Sequence, residues 1–487
     1  MAGTDGSRTD RTARRVARGA GSVALWLLVW QLAAWTVGTA LLVPGPLETL
    51  ATFVRLAATA EFWGSVAWSS ARIVGSFLAS FACALALAAL ARRSSVAEAL
   101  LRPPMSVVKA TPVACIVVIL LVWLGSARVV EAAVVLVALP AVYFSAYEAL
   151  GEVDASRREM LRLFGVGAVR RALVLTWPSM TPFLLATCRM VVGMSWKAGV
   201  AAELIGMPLG SMGERIYQSK LLLETPSLFA WTAAVVLAAF VCERVFLALL
   251  ELSAVLSRRL AVAASPRRRS DDWGYPREHG SEPKEDPPAA LALEGVDVSF
   301  GDRHVLSGAS RSFPAGSRTC LTDPSGAGKT TALRLLAGLA EPDAGRVVRP
   351  ARLSMAWQGT CLIEELSPTD NLLLVCGGAL SRDAARSMLM DVLPSMVIDV
   401  PCSRLSGGER RRVELVRALA APGSAVLLDE PFSSLDGAAH LRCASLVGRH
   451  LRGRTLVVAT HDPGDALLLD AEVESVASEV APAPSED

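Results

Sequence analysis

Between residues 23 and 250 the sequence carries six apolar runs of about 18 to 25 residues, near 23–43, 66–90, 107–124, 129–147, 181–201 and 227–250. A helix of that length crosses the roughly 30 Å hydrocarbon layer of a bilayer, and it satisfies every backbone N–H and C=O within its own segment. The chain therefore cannot be an ordinary soluble enzyme throughout. Its 487 residues are 52% hydrophobic and only 19% charged, with a mean hydropathy of +0.43. The formal charge of +2 hides an uneven distribution, because the arginines cluster beside apolar runs instead of forming one basic face. That pattern gives no case for nucleic acid.

The first run follows Arg8, Arg11, Arg14, Arg15 and Arg18 and ends at Pro44, Gly45 and Pro46. A cleavable signal peptide needs a shorter apolar core and a small-residue cleavage site, so an uncleaved span is expected. With the N-terminus inside, the inner segments 1–22, 91–109 and 148–180 hold 14 Lys+Arg, against 4 in the outer segments 44–65, 125–130 and 201–226. Cationic loops stay cytoplasmic. The last span then delivers Arg258, Arg259 and everything downstream to the cytosol.

The expected organisation is a cytoplasmic tail at 1–22, a six-helix all-α membrane domain at 23–262, a charged, proline-rich linker at 263–290, an α/β domain at 291–480, and a disordered tail at 481–487. Short apolar strands alternating with helical stretches point to the α/β class. No internal repeat relates the spans. Nine cysteines with no C-x-x-C pair read as buried thiols of a reducing compartment.

In the cytosolic half, 318–322 reads as a strand, 323–331 as a glycine-rich loop and 332–339 as a helix. This looks like a phosphate-binding P-loop. The amides of Ser325, Gly326, Ala327, Gly328, Lys329, Thr330 and Thr331 face a polyphosphate, Lys329 adds a full charge, and the Thr330 hydroxyl ligates Mg²⁺. Asp323 stands where the motif has its leading glycine. A carboxylate 4 Å from a phosphate would cost about 4 kcal/mol at an effective dielectric near 20, so it is expected to point away. The apolar strand 426–428 ends in Asp429 and Glu430, the arrangement of a Walker B segment. Asp429 would hold Mg²⁺ through water, and Glu430 would orient and deprotonate the attacking water. Upstream, the turn Ser406, Gly407, Gly408, Glu409 opens what reads as a basic amphipathic helix over 410–420.

A Leu-Ser-Gly-Gly-Glu turn some twenty residues before a Walker B strand resembles the signature of ABC-type ATPases, over about Leu291–Glu474. The resemblance implies further roles. Gln358 is similar to the lid glutamine that senses the metal and touches the permease, His461 to the switch histidine at the γ-phosphate, Asp436 to a dimer-facing loop residue, and Phe300 to the aromatic that stacks on adenine. It also implies that Ser406, Gly407 and Gly408 close on nucleotide bound to an opposite subunit. With one signature per chain, ATP hydrolysis would require a second copy.

The inner loop at 159–178 places Glu159, Gly165 and Pro178 in register with the conserved loop of bacterial ABC importer permeases, with departures at Met160, Leu161, Leu175 and Trp177. Stretches at 44–48, 70–75, 109–112 and 196–203 are similar to permeases of the nitrate/sulfonate/taurine importer family. The resemblance implies a fused permease–ATPase importer of the bacterial inner membrane, served by an extracytoplasmic binding protein. Two rivals stand beside it: an exporter, and a membrane-bound regulator whose altered P-loop binds ATP with little turnover. Arg72, Arg189, Lys197 and Glu203 lie inside spans, where ionisable groups line a path or lock helices. Three cations against one carboxylate suit a small anion. Trp26, Trp30, Trp35, Trp63, Trp68 and Trp123 read as interface anchors and packing.

Overall fold

The computed structural model describes residues 5–39, 41–264, 287–301 and 303–476. Most of the expected linker, and all of the expected tail at 481–487, lie outside the described residues. The chain divides into two compact units. One comprises residues up to 152 with 180–253, and the other comprises 153–179 with 254–487.

The first unit is helical throughout. In chain order its helices are α1 (Asp5–Val37), α2 (Pro46–Ala57), α3 (Ala60–Arg93), α4 (Ser95–Ala110), α5 (Val113–Leu124) and α6 (Val129–Gly151). After α7 (Ala155–Leu163) and α8 (Ala168–Arg171), which belong to the second unit, come α9 (Trp177–Gly206), α10 (Met212–Leu221) and α11 (Thr225–Ala263). Among the described residues α3, α6 and α11 are long and apolar enough to cross a membrane, and α4 with α5 makes a fourth if the bent pair is one span. All six apolar runs are helical, but three differ from expectation, one of them being 181–201, whose helix α9 is not among those apolar enough to cross. The run at 107–124 is broken by a bend of 106°, because Pro112 has no N–H to donate and pushes Thr111 into extended backbone at ψ 130°. The first run stops being helical at Val37, and Gly38 follows at φ +72°.

The core of this unit is built on a stripe of mostly small residues. Ser65, Ser69, Ile73, Phe77, Ser80, Ala84, Ala88 and Ala91 of α3 are buried at intervals of three or four, the spacing that keeps side chains on one helix face. In α6, Ala133, Val134, Ala138, Val142, Ala146 and Ala149 are wholly buried. Small side chains let helices approach closely where lipid offers no competing hydrophobic force. At Gly199 of α9 a Cβ would lie 2.6 Å from Ile73 Cγ1, so glycine permits that contact. Arg72 and Glu203 are buried here as well.

The second unit has two sheets. One is a three-stranded antiparallel sheet in the order β2 (Arg303–Phe313), β1 (Leu291–Phe300), β4 (Ala344–Val348). The other has the order β5 (Ser354–Ala356), β6 (Ala425–Asp429), β7 (Thr455–Ala459), β3 (Arg318–Leu321), β8 (Glu472–Glu474), and its adjacent strands run parallel. Every residue of β6 and β7 is buried, as expected for parallel strands covered on both faces. The accompanying helices are α12 (Lys329–Leu336), α13 (Pro368–Cys376), α14 (Arg382–Met390), α15 (Gly407–Ala420), α16 (Gly437–His450) and α17 (Gly464–Leu469). Cys320, Cys361 and Cys402 are buried free thiols, and desolvation pushes each up to about 12.

Candidate functional site

The loops that carry Lys329, Glu430 and His461 leave the carboxyl ends of neighbouring parallel strands. Leu321 of β3 and Asp429 of β6 both pair with Ala459 of β7, so the loops that follow these three strands emerge side by side. Open α/β sheets place ligands at this edge.

The loop after β3 turns into α12 at Lys329. Gly328 takes φ +92°, and a Cβ there would lie 2.8 Å from Leu306 Cδ2 and 3.2 Å from the Val305 carbonyl. Only glycine satisfies both the angle and the space. Lys329 is 8% exposed, and its ammonium donates to the carbonyls of Asp323 and, at 3.3 Å, Pro324. It therefore binds carbonyl dipoles and keeps its charge for an anion. The Asp323 carboxylate faces away from the loop, accepting from the Ser475 hydroxyl and, at 2.7 Å, from the Val476 amide. It ties the segment after β8 to the start of the P-loop.

Thr330 Oγ1 donates to Asp429 Oδ1 at 3.2 Å. Burial pushes the Asp429 carboxyl above the usual carboxylate range, with the Thr330 hydroxyl and the Lys329 charge acting against it. Two hard oxygens beside a cationic loop fit Mg²⁺, which takes few protein ligands and completes its shell with phosphate and water. Thr330 and Asp429 would hold it, and its charge would neutralise phosphate oxygens and favour ionised Asp429. Among the described residues no cluster of three or more His, Cys, Asp or Glu forms a dedicated cage.

Glu430 sits at φ +49°, a left-handed conformation that costs a non-glycine residue about 1 kcal/mol or more. Its amide is held by the Ala459 carbonyl at 2.8 Å, and its Oε2 lies 2.7 Å from His461 Nδ1. The strand exits thus aim a carboxylate and an imidazole at one point. Gln358 is exposed two residues beyond β5, whose Ala356 pairs with Leu428. Ser406 caps α15 in a reciprocal box with Glu409, and these hydrogen bonds hold the Glu409 carboxyl below its ordinary range. Ser406 and Gly407 remain exposed. A Cβ on Gly408 would meet the Ser434 carbonyl at 3.4 Å, so the signature turn lies beside the loop that ends at Asp436. Asp436 caps α16 through the Ala439 amide at 2.7 Å. Phe300 ends β1 with 63% of its surface exposed.

A second site lies in the same unit. Asp154 caps α7 through the amides of Ser156 and Arg157, and Gly165 turns the chain at φ +68° into α8. Glu159 pairs with Arg334 of α12 at 3.1 Å, Arg157 with Glu364 at 2.6 Å, and Arg258 with Glu365 at 3.6 Å. Arg170 donates to the carbonyls of Ala261 and Leu374, both at 2.9 Å. The Phe164 ring meets Trp357 edge-on, 6.0 Å between centroids. This loop therefore touches both the helix that begins at Lys329 and the residue before Gln358. Arg157, Arg170 and Arg334 were legible only as generic inner-loop or helix charge.

Two sequence readings need correction. The basic amphipathic helix expected after the signature buries part of its charge: Arg411, Glu414 and Arg417 are 3%, 0% and 0% exposed. Arg72 is a lock, with no free charge for a path, whereas Glu203 is buried without an ion-pair partner among the described residues. Arg72 donates to Glu131 at 2.8 and 3.1 Å and to the Ala127 carbonyl at 2.6 Å, while Glu203 accepts from the Gly213 amide at 3.1 Å. Arg189 and Lys197 are exposed on α9, without an ion-pair partner among the described residues. A groove of about 860 Å³ in the first unit is lined by Lys109, Phe144, Ser145, Glu148, Thr187 and Met190, among others. Trp26, Trp35, Trp63, Trp68 and Trp123 are more than half exposed, and Trp30 packs on Phe229.

Residues 306–433 match the ABC transporter family, and residues 78–255 match the binding-protein-dependent transport system inner membrane component. An aliphatic sulfonates import ATP-binding protein of Rhodococcus jostii is 40% identical over 185 residues, 38% of this chain and 67% of that one. A cytochrome c biogenesis ATP-binding export protein of Sphingopyxis alaskensis is 38% identical over 167 residues, 33% of this chain and 83% of that one. Among solved structures, a dimeric ATP-binding cassette in a post-hydrolysis state with ADP and Pi shares 25% identity and a TM-score of 0.34, covering 37% of this chain and 90% of that one.

Proposed function

This chain belongs to the ABC transporter family, a permease and an ATP-hydrolysing domain on one polypeptide, and from that premise we propose that it imports a small organic or inorganic anion such as a sulfonate or nitrate. The working unit is a homodimer in the bacterial inner membrane, with its N-terminus and ATPase domain cytoplasmic and an extracytoplasmic binding protein delivering the anion. The domain limits proposed with it are 1–22, 23–262, 263–290, 291–480 and 481–487.

The observation that carries this reading is the seating of the 153–179 loop beside the lid and the Lys329 helix, through Glu159–Arg334 and Phe164–Trp357. In the mechanism, the P-loop amides and Lys329 bind the phosphates. Ser406, Gly407 and Gly408 of one copy close on nucleotide held by the other. Glu430 takes a proton from the attacking water, with His461 holding the carboxylate and then meeting the γ-phosphate, and Gln358 reports occupancy to the loop. Closure moves Phe164 and Glu159, and with them the helices. Arg189 and Lys197 supply cationic side chains to the path.

Likeness to an export ATPase favours the opposite direction, but the short inner connections and the binding-protein-dependent match support import. The regulator reading rests on the altered P-loop; the Asp323 carboxylate accepts hydrogen bonds from Ser475 and Val476, which supports a loop whose phosphate site is free of that charge. The test is ATP-dependent uptake of radiolabelled taurine, an alkanesulfonate or nitrate into proteoliposomes, with the binding protein from the adjacent gene. Extrusion, or ATP binding without turnover, would reject the proposal.

A further inference from the structure

Three charged side chains of α15 are buried in a protein interior, where each ion costs several kcal/mol unless its hydrogen bonds are replaced. Arg411 and Arg417 flank Glu414, so the cluster keeps one net positive charge. Glu414 accepts from Arg411 at 3.2 Å, from Arg417 at 3.3 Å and from the Cys361 amide at 3.1 Å. The positive excess is directed at carbonyls. Arg411 donates to the carbonyls of Trp357, Asp429 and Glu430, and at 3.3 Å to that of Pro431. Arg417 donates to the Cys361 carbonyl at 2.7 Å.

One guanidinium thus grips the exit of β6 on both sides of the strained Glu430 and, with the same fork, the residue before Gln358. At its other end the cluster meets the 153–179 loop. The Arg417 guanidinium lies 5.3 Å from the Phe164 ring centroid and 5.9 Å from that of Trp357. A hydrophobic trio of similar volume would serve packing at least as well. What the charges add is a directional link, because a guanidinium fork transmits displacement to the carbonyls it holds.

We propose that Arg411 is a positioning residue that couples the Phe164 loop to the catalytic carboxylate: movement of Phe164 against Trp357 and Arg417 is passed through Glu414 and Arg411 to the backbone of Glu430. The inference rests on the reading of 153–179 as the coupling loop and is independent of cargo or direction. Arg411 touches no nucleotide in this scheme. It sets the aim of Glu430, so its loss acts on turnover and leaves ATP affinity alone.

The test is a double-mutant cycle on the full-length protein in nanodiscs, with kcat and KM for ATP measured for wild type, Phe164→Ala, Arg411→Gln and the pair. Arg411→Gln is expected to lower kcat about tenfold with KM within about twofold, and Arg411→Lys to recover part of the loss. Phe164→Ala lowers kcat in the wild-type background and has no further effect beside Arg411→Gln. Effects that multiply in the pair, or a raised KM with unchanged kcat, would overturn the proposal. Should Arg411→Gln fail to fold, Arg411→Gln with Glu414→Ala removes both charges together, and the same cycle is read on that background. Loss of the Phe164 effect supports the link; its persistence refutes it. Wild-type protein without ATPase activity would instead sink the functional reading itself.

Discussion

The two units bury charge in opposite ways. In the membrane unit Arg72 is cancelled by one carboxylate, Glu131, in a two-bond pair, with the Ala127 carbonyl as a third acceptor. In the ATPase unit Glu414 sits between two arginines, and the surplus charge is spent on main-chain carbonyls around Glu430. The first arrangement locks α3 to the start of α6. The second holds the backbone of Glu430, the residue proposed as the base. A buried ion is therefore informative by what its excess charge points at, more than by its burial.

The contrast yields graded predictions. Glu430→Gln should remove the base that the Arg411 grip serves, lowering hydrolysis by about 100-fold or more while ATP binding persists, as measured by phosphate release beside nucleotide trapping. Turnover within tenfold of wild type would detach the α15 cluster from catalysis. Arg72→Ala leaves Glu131 facing a vacancy and should destabilise the membrane unit by about 2–3 kcal/mol, seen as a lower Tm in detergent with the ATP affinity of surviving protein unchanged. An unaltered Tm would mean the membrane pair is no lock. Asp323→Gly removes the tie to Ser475 and Val476 and should cost about 1–2 kcal/mol in chemical denaturation, with ATP affinity altered less than about threefold. A large gain in affinity would show that the carboxylate opposes phosphate after all. The smallest effect is expected for Lys197→Ala: KM for uptake rises about threefold with ATPase activity unchanged. Unchanged uptake would leave Arg189 and Lys109 as the cations to examine.

Much of the site was legible in order along the chain. The P-loop, the Asp429–Glu430 pair, the signature turn and the Glu159 loop are contiguous motifs, and each falls where its neighbours required it: after β3, after β6, before α15 and around Gly165. Arg411, Glu414, Glu131 and Arg334 were invisible as functional groups. A charge near other charges reads as a solvated face, and nothing in a linear pattern distinguishes it from one that is sealed in. The bend at Pro112 was available from the proline alone, but the apolar composition on either side outweighed it.

What the amino-acid order determined is which segments are apolar helices, which strand exit carries a glycine-rich loop and which carboxylates end a strand, because hydropathy, glycine geometry and strand exits are local properties. Only tertiary structure decided which charges are buried, which partner cancels each, and that Asp323, expected to point away from the phosphates, finds Ser475 and Val476. Those outcomes depend on the distance between residues far apart in the chain, such as 152 positions for Asp323 and Ser475. Coulomb and hydrogen-bond energies follow separation in space, which sequence does not record.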